Sequence, residues 1–421
     1  MESTDITVVG AGLIGLASAW ALHERGWRVR VIEAREQAAL ETSYANSGML
    51  TPSMADPWNR PGVWRDLLAW LGREDAPMLL RPGALPQYLG WGLRFLTHSA
   101  PPRHRAATLA NFALAQTSLQ QFRRLRQSLA LDYDLRTRGT LQLFRHQHDF
   151  AKACAHTEDL ASRGLAARVL TGRACVDVEP LLAPVAGQFV GAIHYSDDET
   201  GDAHRYCQGL AAHLADKGVE FMFDTRVLGL RHSGAGVHGL LTSRGDLDAR
   251  HVVLACASHS VALARACGVR LPIRPVKGYS LTVPDVAADQ LPGLSLIDHH
   301  LHAAITPFDS RLRLAGTAEF AGFDQTLRPG RIEALWDMLQ RILPGRFDAA
   351  DRARVTPWCG LRPMSADGVP FIGRSGVQGL YINSGQGHLG WTQSLGSGDL
   401  LAALLSDETP PIDPAPFRVD R

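Results

Sequence analysis

The chain has 421 residues, 43 basic and 42 acidic side chains, and a formal net charge of +1. That balance gives no electrostatic case for nucleic acid, and the length points to two domains rather than one core. Six scattered cysteines without a C-x-x-C pair argue against a disulfide framework or zinc knuckle, no apolar run is long enough to span a bilayer, and a strand starting near Ile6 leaves no room for a signal peptide, so a cytoplasmic protein is expected.

Residues 6–9 (ITVV) read as a buried parallel strand. Gly10-Ala11-Gly12-Leu13-Ile14-Gly15 follows at once, then an apolar helix over 13–25 stopped by Gly26, then a strand over 28–32 closed by Glu33. In this frame Gly10 permits the tight turn, Gly12 lets a pyrophosphate approach, and Gly15 lets the helix pack on the strand. The helix N-terminus offers N–H groups to phosphates. Glu33 can accept from ribose hydroxyls, which favours FAD or NAD over NADP. The small-residue stretch 41–50 (ETSYANSGML) occupies the place where an NAD domain has its next helix, and it decides for FAD.

Further on, Trp58, Trp64, Trp70 and Trp91 sit among prolines, and core or lid aromatics are favoured over a membrane patch because no basic amphipathic stripe accompanies them. Residues 106–130 have helical apolar spacing, with Arg123, Arg124 and Arg126 on a solvated face. Strands are expected at 140–144 and 192–195, a helix at 204–217, and strands at 219–223, 237–241 and 252–255. A second sheet is expected from 276–283, 303–306 and 311–314, followed by a helix over 330–342. The last strand, 380–383, leads into a second G-x-G-x-x-G, Gly385 to Gly390, and a helix from about Trp391 to Leu405. No further strand ending in an acidic residue follows it, so this loop is not another dinucleotide site. Its expected place is the far end of the same FAD, beside the flavin ring.

GAGLIG, ETSYANSG, GTLQLFR (139–145), DDETGD (197–202), KGYSLT (277–282), WCGLRPMSADGVPFIGR (358–374) and SGQGHLGWT (384–392) stand in that order along nearly the whole chain. In these motifs the chain resembles the bacterial D-amino-acid dehydrogenase catalytic subunits of the glycine oxidase and D-amino-acid oxidase superfamily. The resemblance implies an α/β fold: a Rossmann-type FAD-binding domain (1–57, 198–271 and 352–421) with a second, mostly antiparallel substrate-binding domain (58–197 and 272–351). Beyond Gly10, Gly12, Gly15 and Glu33, it implies FAD contacts at Ala11, Leu13, Ile14, Ala34, Arg35, Thr42, Ser43, Asn46, Ser47, Gly48, Met49, Val227 and Gly360. At the second loop it implies contacts at Gly385, Gly387, His388, Leu389, Gly390, Trp391 and Thr392. It also implies a small D-amino-acid substrate, a quinone or respiratory-chain electron acceptor, and peripheral contact with the cytoplasmic face of the inner membrane. One departure stands out: the family loop reads G-H-G-T-L-G-W, whereas here Gln386 takes the histidine's place and His388 lies two positions later.

Three residues are the catalytic candidates. Arg362, in Gly360-Leu361-Arg362-Pro363, offers a planar fork for the substrate carboxylate, the role the resemblance implies; a structural ion pair is the bland alternative. Tyr279 offers a phenol as a second donor to that carboxylate, or is a core tyrosine. His388 is either an acid/base for the amine or a pocket residue. Asp298-His299-His300-Leu301-His302 is the one metal candidate, and a polar strand or hairpin is the preferred reading. The expected reaction is FAD-dependent oxidative deamination of D-amino acids. The alternatives are oxidation of secondary amines such as D-hydroxyproline, glycine or sarcosine, an oxygen-using oxidase, an NAD(P)-linked oxidoreductase, and an FAD-bearing subunit without activity.

Overall fold

A computed structural model describes residues 4–70, 72–74 and 76–421 of the chain; residues 1–3 of the expected 1–57 segment lie outside them. Seven strands and four helices position the site. They are β1 (Ile6–Val9), β2 (Val29–Ile32), β3 (Val252–Leu254), β4 (Ile273–Val283), β5 (Leu312–Phe320), β6 (Thr356–Ser365) and β7 (Leu380–Ser384). The helices are α1 (Leu13–His23), α2 (Leu85–Thr97), α3 (Pro101–Ser128) and α4 (Ser394–Leu405).

A six-stranded sheet runs in the order Phe371–Arg374, β7, β3, β1, β2, Glu220–Met222, parallel throughout except for its first strand. Its strands are apolar without alternation because both faces are covered, one by helices that include α1 and α4, the other by a three-stranded antiparallel sheet (Val227–Ser233, Gly236–Thr242, Gly245–Asp248) and the short helix Ser260–Ala266. A second sheet of nine strands runs β6, β4, β5, then Ala303–Pro307, Ser295–Asp298, Thr140–Phe144, Gly191–Tyr195 and Ala167–Thr171, with Met78–Leu80 added beside β5. It is antiparallel except where Ser295–Asp298 meets Thr140–Phe144 and Met78–Leu80 meets β5. The architecture is therefore an α/β fold with a Rossmann-type sheet and a second, mostly antiparallel one.

The chain crosses between the sheets at other points than the motif spacing suggested. The segment from 352 onward gives its first strand, β6, to the antiparallel sheet, where Arg362 lies opposite Val276 and Gly360 opposite Gly278. Conversely α3, expected on the substrate side, packs Leu114, Phe122 and Leu125 into the core under the parallel sheet with α1 and α4. Both moves follow from long-range pairing that local periodicity does not carry. The helices behind the two glycine loops meet closely: a Cβ on Gly398 of α4 would lie 2.4 Å from the Ala17 carbonyl of α1. The helix expected from Trp391 starts at Ser394, after a short 3-10 turn at Gly387–Leu389.

Candidate active site

The C-terminal ends of β1, β2, β3 and β7 open on a single cavity of about 1190 Å³, which also runs along β4, β5 and β6. At one end the first glycine turn behaves as its spacing predicts. Gly10 has φ +109°, a region that costs only glycine little. A Cβ on Gly15 would sit 1.8 Å from the Gly10 carbonyl oxygen, so helix and turn touch. Glu33 Oε2 accepts from the Ala11 N–H at 2.8 Å and Oε1 from the Arg35 N–H at 2.9 Å, while burial pushes its carboxyl up. Ser43 Oγ accepts from the Leu13 N–H at 3.2 Å. The Thr42 hydroxyl donates to the Leu361 carbonyl at 2.9 Å, tying this loop to β6.

Of the expected cofactor contacts, Gly10, Gly12, Leu13, Ile14, Glu33, Ala34, Arg35, Thr42, Ser43, Asn46, Ser47, Met49 and Val227 line the cavity. So do Gly360, Gly387, His388, Gly390 and Trp391. Six others are absent from its wall. Ala11 is fully buried in the core, and Gly15 faces the Gly10 carbonyl. Gly48 faces Phe308 and Gly201, and Gly385 faces Ile273 and Phe371. Leu389 is buried, and the Thr392 hydroxyl accepts from the Thr51 N–H at 2.9 Å.

The residues present suit FAD. A glycine turn with an acidic residue lies at one end and a second glycine loop at the other, along one continuous cavity. Residues on its wall carry buried polar atoms without a hydrogen-bond partner among the described residues, Trp391 Nε1, Thr317 Oγ1 and Ser258 Oγ, an arrangement a polar ligand resolves.

The other end is built from side chains. Arg362 lies across Gly278, where a Cβ would fall 2.1 Å from Nη1. Its one hydrogen bond is a long one, 3.4 Å from Nη1 to the Thr317 carbonyl, and no carboxylate among the described residues pairs with it. Burial pulls the guanidinium down to about 10, still charged at neutral pH. Trp58 covers it at 5.5 Å and stacks on His388 at 5.3 Å. Burial pulls His388 down to about 4, helped by the nearby Arg362, so the imidazole is neutral. Its Nε2 lies 3.3 Å from the Met54 carbonyl, so a neutral ring carries its proton there and keeps a lone pair on Nδ1.

Trp58 and Met54 belong to a segment, residues 51–58, that has only one short 3-10 turn of its own and is held by buried polar contacts from several elements. Ser53 donates from Oγ to Asp198 Oδ2 at 2.6 Å and from N to Oδ1 at 3.3 Å. Asn111 of α3 donates to the Ala55 carbonyl at 3.2 Å, and Thr108 to Asp56 at 2.7 Å. Asp198 is fully buried and its partners are hydroxyls and an N–H rather than a cation, so burial raises it to about 7.

Tyr279 lines the cavity, but its hydroxyl donates to Glu319 Oε2 at 2.5 Å and is therefore committed. Burial and then Glu319 push its phenol up. Glu319 is fully buried among Tyr279, Arg81, Lys277 and Arg328; burial acts to raise it, yet Tyr279, Arg81 and Lys277 hold it below its ordinary value. Lys277 faces this network, 3.4 Å from Glu319 and 3.6 Å from Asp324. Residues 299–302 form the turn between two strands, with His299, His300 and His302 on the cavity wall. Among the described residues no three metal-ligating side chains converge. Trp58 and Thr317 are the neighbours of Arg362 that sequence reasoning did not single out. Trp58 sat among aromatics read as core or lid, and Thr317 has no local signature.

Comparison with known proteins bears out the resemblance. The model of the DAO family, FAD dependent oxidoreductase, matches residues 5–404. The chain is 40% identical over 417 residues to a D-amino acid dehydrogenase of Paramagnetospirillum magneticum, covering 99% of this chain and 98% of that protein. It is 38% identical over 416 residues to a D-amino acid dehydrogenase of Bradyrhizobium diazoefficiens, with 99% and 98% covered. In fold it is similar to glycine oxidase from Geobacillus kaustophilus, with a TM-score of 0.75 at 23% identity over 99% and 98% of the two chains. L-proline dehydrogenase from P. horikoshii gives a TM-score of 0.75 at 18% identity over 97% and 95%.

Proposed function

The chain belongs to the DAO family of FAD-dependent oxidoreductases, and from that premise we propose that it oxidises D-amino acids to 2-oxo acids and ammonia. The observation that carries the reading is Arg362: a desolvated guanidinium on the cavity wall with no acidic partner among the described residues. A partly buried, desolvated charge without a partner is costly, so its natural complement is an anionic ligand, and a carboxylate matches its fork.

Gly10, Gly12, Glu33 and the Gly387 loop would hold FAD, which when bound supplies the acceptor for a hydride leaving the substrate Cα. Arg362 fixes the carboxylate and so sets which C–H faces the acceptor. Trp58 covers the guanidinium and keeps water off it, which strengthens the ion pair. His388 offers its Nδ1 lone pair as a hydrogen-bond acceptor for the amine. At a value of about 4 it does not keep a proton from the substrate ammonium, so that proton goes to water before the C–H bond breaks. Water then hydrolyses the released imino acid to 2-oxo acid and ammonia.

Anaerobic mixing with D-alanine tests this. Bleaching of the flavin band by D-alanine but not L-alanine is expected, and persistence of the colour across a panel of D-amino acids that includes D-proline would sink the reading. Repeating the mixing in air with peroxide measured separates a dehydrogenase from an oxidase.

A quinone held in a membrane is the acceptor we favour. No described helix is long and apolar enough to cross a bilayer. However, α2 turns Leu85, Leu89, Leu93 and Leu96 outward, with Leu89 and Leu93 63% and 67% exposed. Arg94 and Arg103 flank this ridge, and no Asp or Glu occurs from Ala76 to Leu131. An apolar ridge with basic flanks suits peripheral contact with anionic lipid. Co-sedimentation with phosphatidylglycerol vesicles, weakened by Leu89→Asp with Leu93→Asp, checks it.

A further inference from the structure

Thr317 stands where a β-bulge interrupts the pairing of β4 with β5. Lys277 pairs with Glu319 and Tyr279 with Gly316, which leaves Thr317 and Ala318 together opposite Gly278 alone. Thr317 takes the positive φ of the bulge, +60°. That conformation normally falls to glycine, and a β-branched residue is strained in it. Bulges of this kind re-aim a side chain. Here the result is a buried hydroxyl, without a hydrogen-bond partner among the described residues, in a cavity-lining residue only 6% exposed.

Its neighbour is the carboxylate anchor. The guanidinium of Arg362 covers Gly278, the residue opposite the bulge, and Nη1 reaches the Thr317 carbonyl. A carboxylate on Arg362 has lone pairs beyond those the fork uses, and a second donor beside the fork would take one of them. Tyr279 is not free to serve, since its hydroxyl donates to Glu319.

We propose that Thr317 is a second substrate-binding residue, its hydroxyl donating to the carboxylate held by Arg362. Bulge strain and a buried orphan hydroxyl are both destabilising, and a bound carboxylate relieves the second. This rests on the functional reading above in taking the ligand to be a carboxylate.

The test uses Thr317→Val, which removes the hydroxyl at nearly constant shape, Thr317→Ser, which restores it, and Thr317→Gly, which relieves the backbone. The FAD-loaded proteins are titrated with benzoate, a carboxylate with no oxidisable C–H beside it, by quenching of tryptophan fluorescence, and KM and kcat for D-alanine are measured separately. Thr317→Val and Thr317→Gly are expected to weaken benzoate binding and raise KM by about 10-fold, the scale of one hydrogen bond to a charged group, with kcat changed less than KM. Thr317→Ser is expected to stay within about 3-fold of the wild type, and Thr317→Gly to melt at or above it. Wild-type benzoate affinity and KM in Thr317→Val overturn the proposal. So does an equal loss in Thr317→Ser, or a loss that merely follows a falling melting temperature across all three. If no D-amino acid turns over in the wild type, the functional reading fails on its own, and the benzoate titrations still decide the role of Thr317.

Discussion

At the Gly10 end the cavity depends on a tightly packed glycine turn: a Cβ on Gly10 would meet the Ala255 carbonyl, one on Gly12 the Ser43 hydroxyl, and one on Gly15, just behind the wall, the Gly10 carbonyl. At the Arg362 end it depends on side chains: a guanidinium without a counter-ion, a neutral histidine, a stacked tryptophan and a threonine in a glycine's conformation. The glycine end tolerates no added atoms but needs little particular chemistry. The side-chain end carries its cost as desolvation and strain, and a ligand offsets the first. Substitutions at the two ends should therefore fail differently, one by losing the cofactor and the other by losing the substrate.

The largest effect is expected from Gly15→Ala. With a Cβ placed 1.8 Å from the Gly10 oxygen, helix and turn must part, and soluble protein carrying FAD should fall to less than about a tenth of wild type, read from the flavin-to-protein absorbance ratio. Next, Arg362→Met should leave that ratio unchanged while kcat/KM for D-alanine falls by about 10³-fold, the scale of two charge-assisted hydrogen bonds. If Arg362→Met instead purified without flavin, the division between the ends would collapse. Gly278→Ala should give an intermediate loss, roughly 10²-fold and mainly in KM, because its methyl displaces the guanidinium without removing it.

The mildest effect on turnover is expected from Asp198→Asn, about 3-fold, since Asn can still accept from Ser53. Its effect on stability runs the other way. Burial raises this carboxyl from 3.8 to about 7, so between those values the folded state binds the proton and the unfolded state does not. Wild-type stability should therefore fall as pH rises from about 4 to about 7, by on the order of 4 kcal/mol, and stay level above. Asp198→Asn removes this dependence: at pH 8 it should melt above the wild type, and at pH 4.5 close to it. Parallel melting curves at the two pH values would contradict the assignment.

What was legible in the sequence follows the same division. The first glycine turn, Glu33 and the strands around them follow from local rules, because a turn needs glycine wherever the rest of the chain goes. Arg362 was legible because GLRP is a narrow motif. Its surroundings were not. Tyr279 loses its expected donor role to Glu319, a residue 40 positions away that only strand register brings near. His388 reads in the sequence as either an acid/base or a pocket residue, and only the fold shows the neighbours that desolvate it and keep its imidazole neutral. Nothing in the sequence joins residues 51–58 to Asp198 of the DDETGD motif, and only the fold sets Ser53 on that carboxylate. Positive φ at Thr317 depends on a two-against-one pairing that no local pattern announces.

The strand order carries a consequence for the time at which the site comes into being. β3 lies between β1, near the start of the chain, and β7, near its end, and α1 packs on α4, which closes at Leu405. Asn383, beside the second loop, donates to Ser18 of α1 at 2.9 Å, so the first and last parts of the site are joined directly. On the ribosome the nucleotide turn is therefore made long before the strand and helix that complete its site. A nascent chain halted before residue 380 has its glycine turn and both strands beside β1, but neither β7 with the second glycine loop nor the closing helix, so cofactor capture is expected to follow synthesis of these parts rather than guide it.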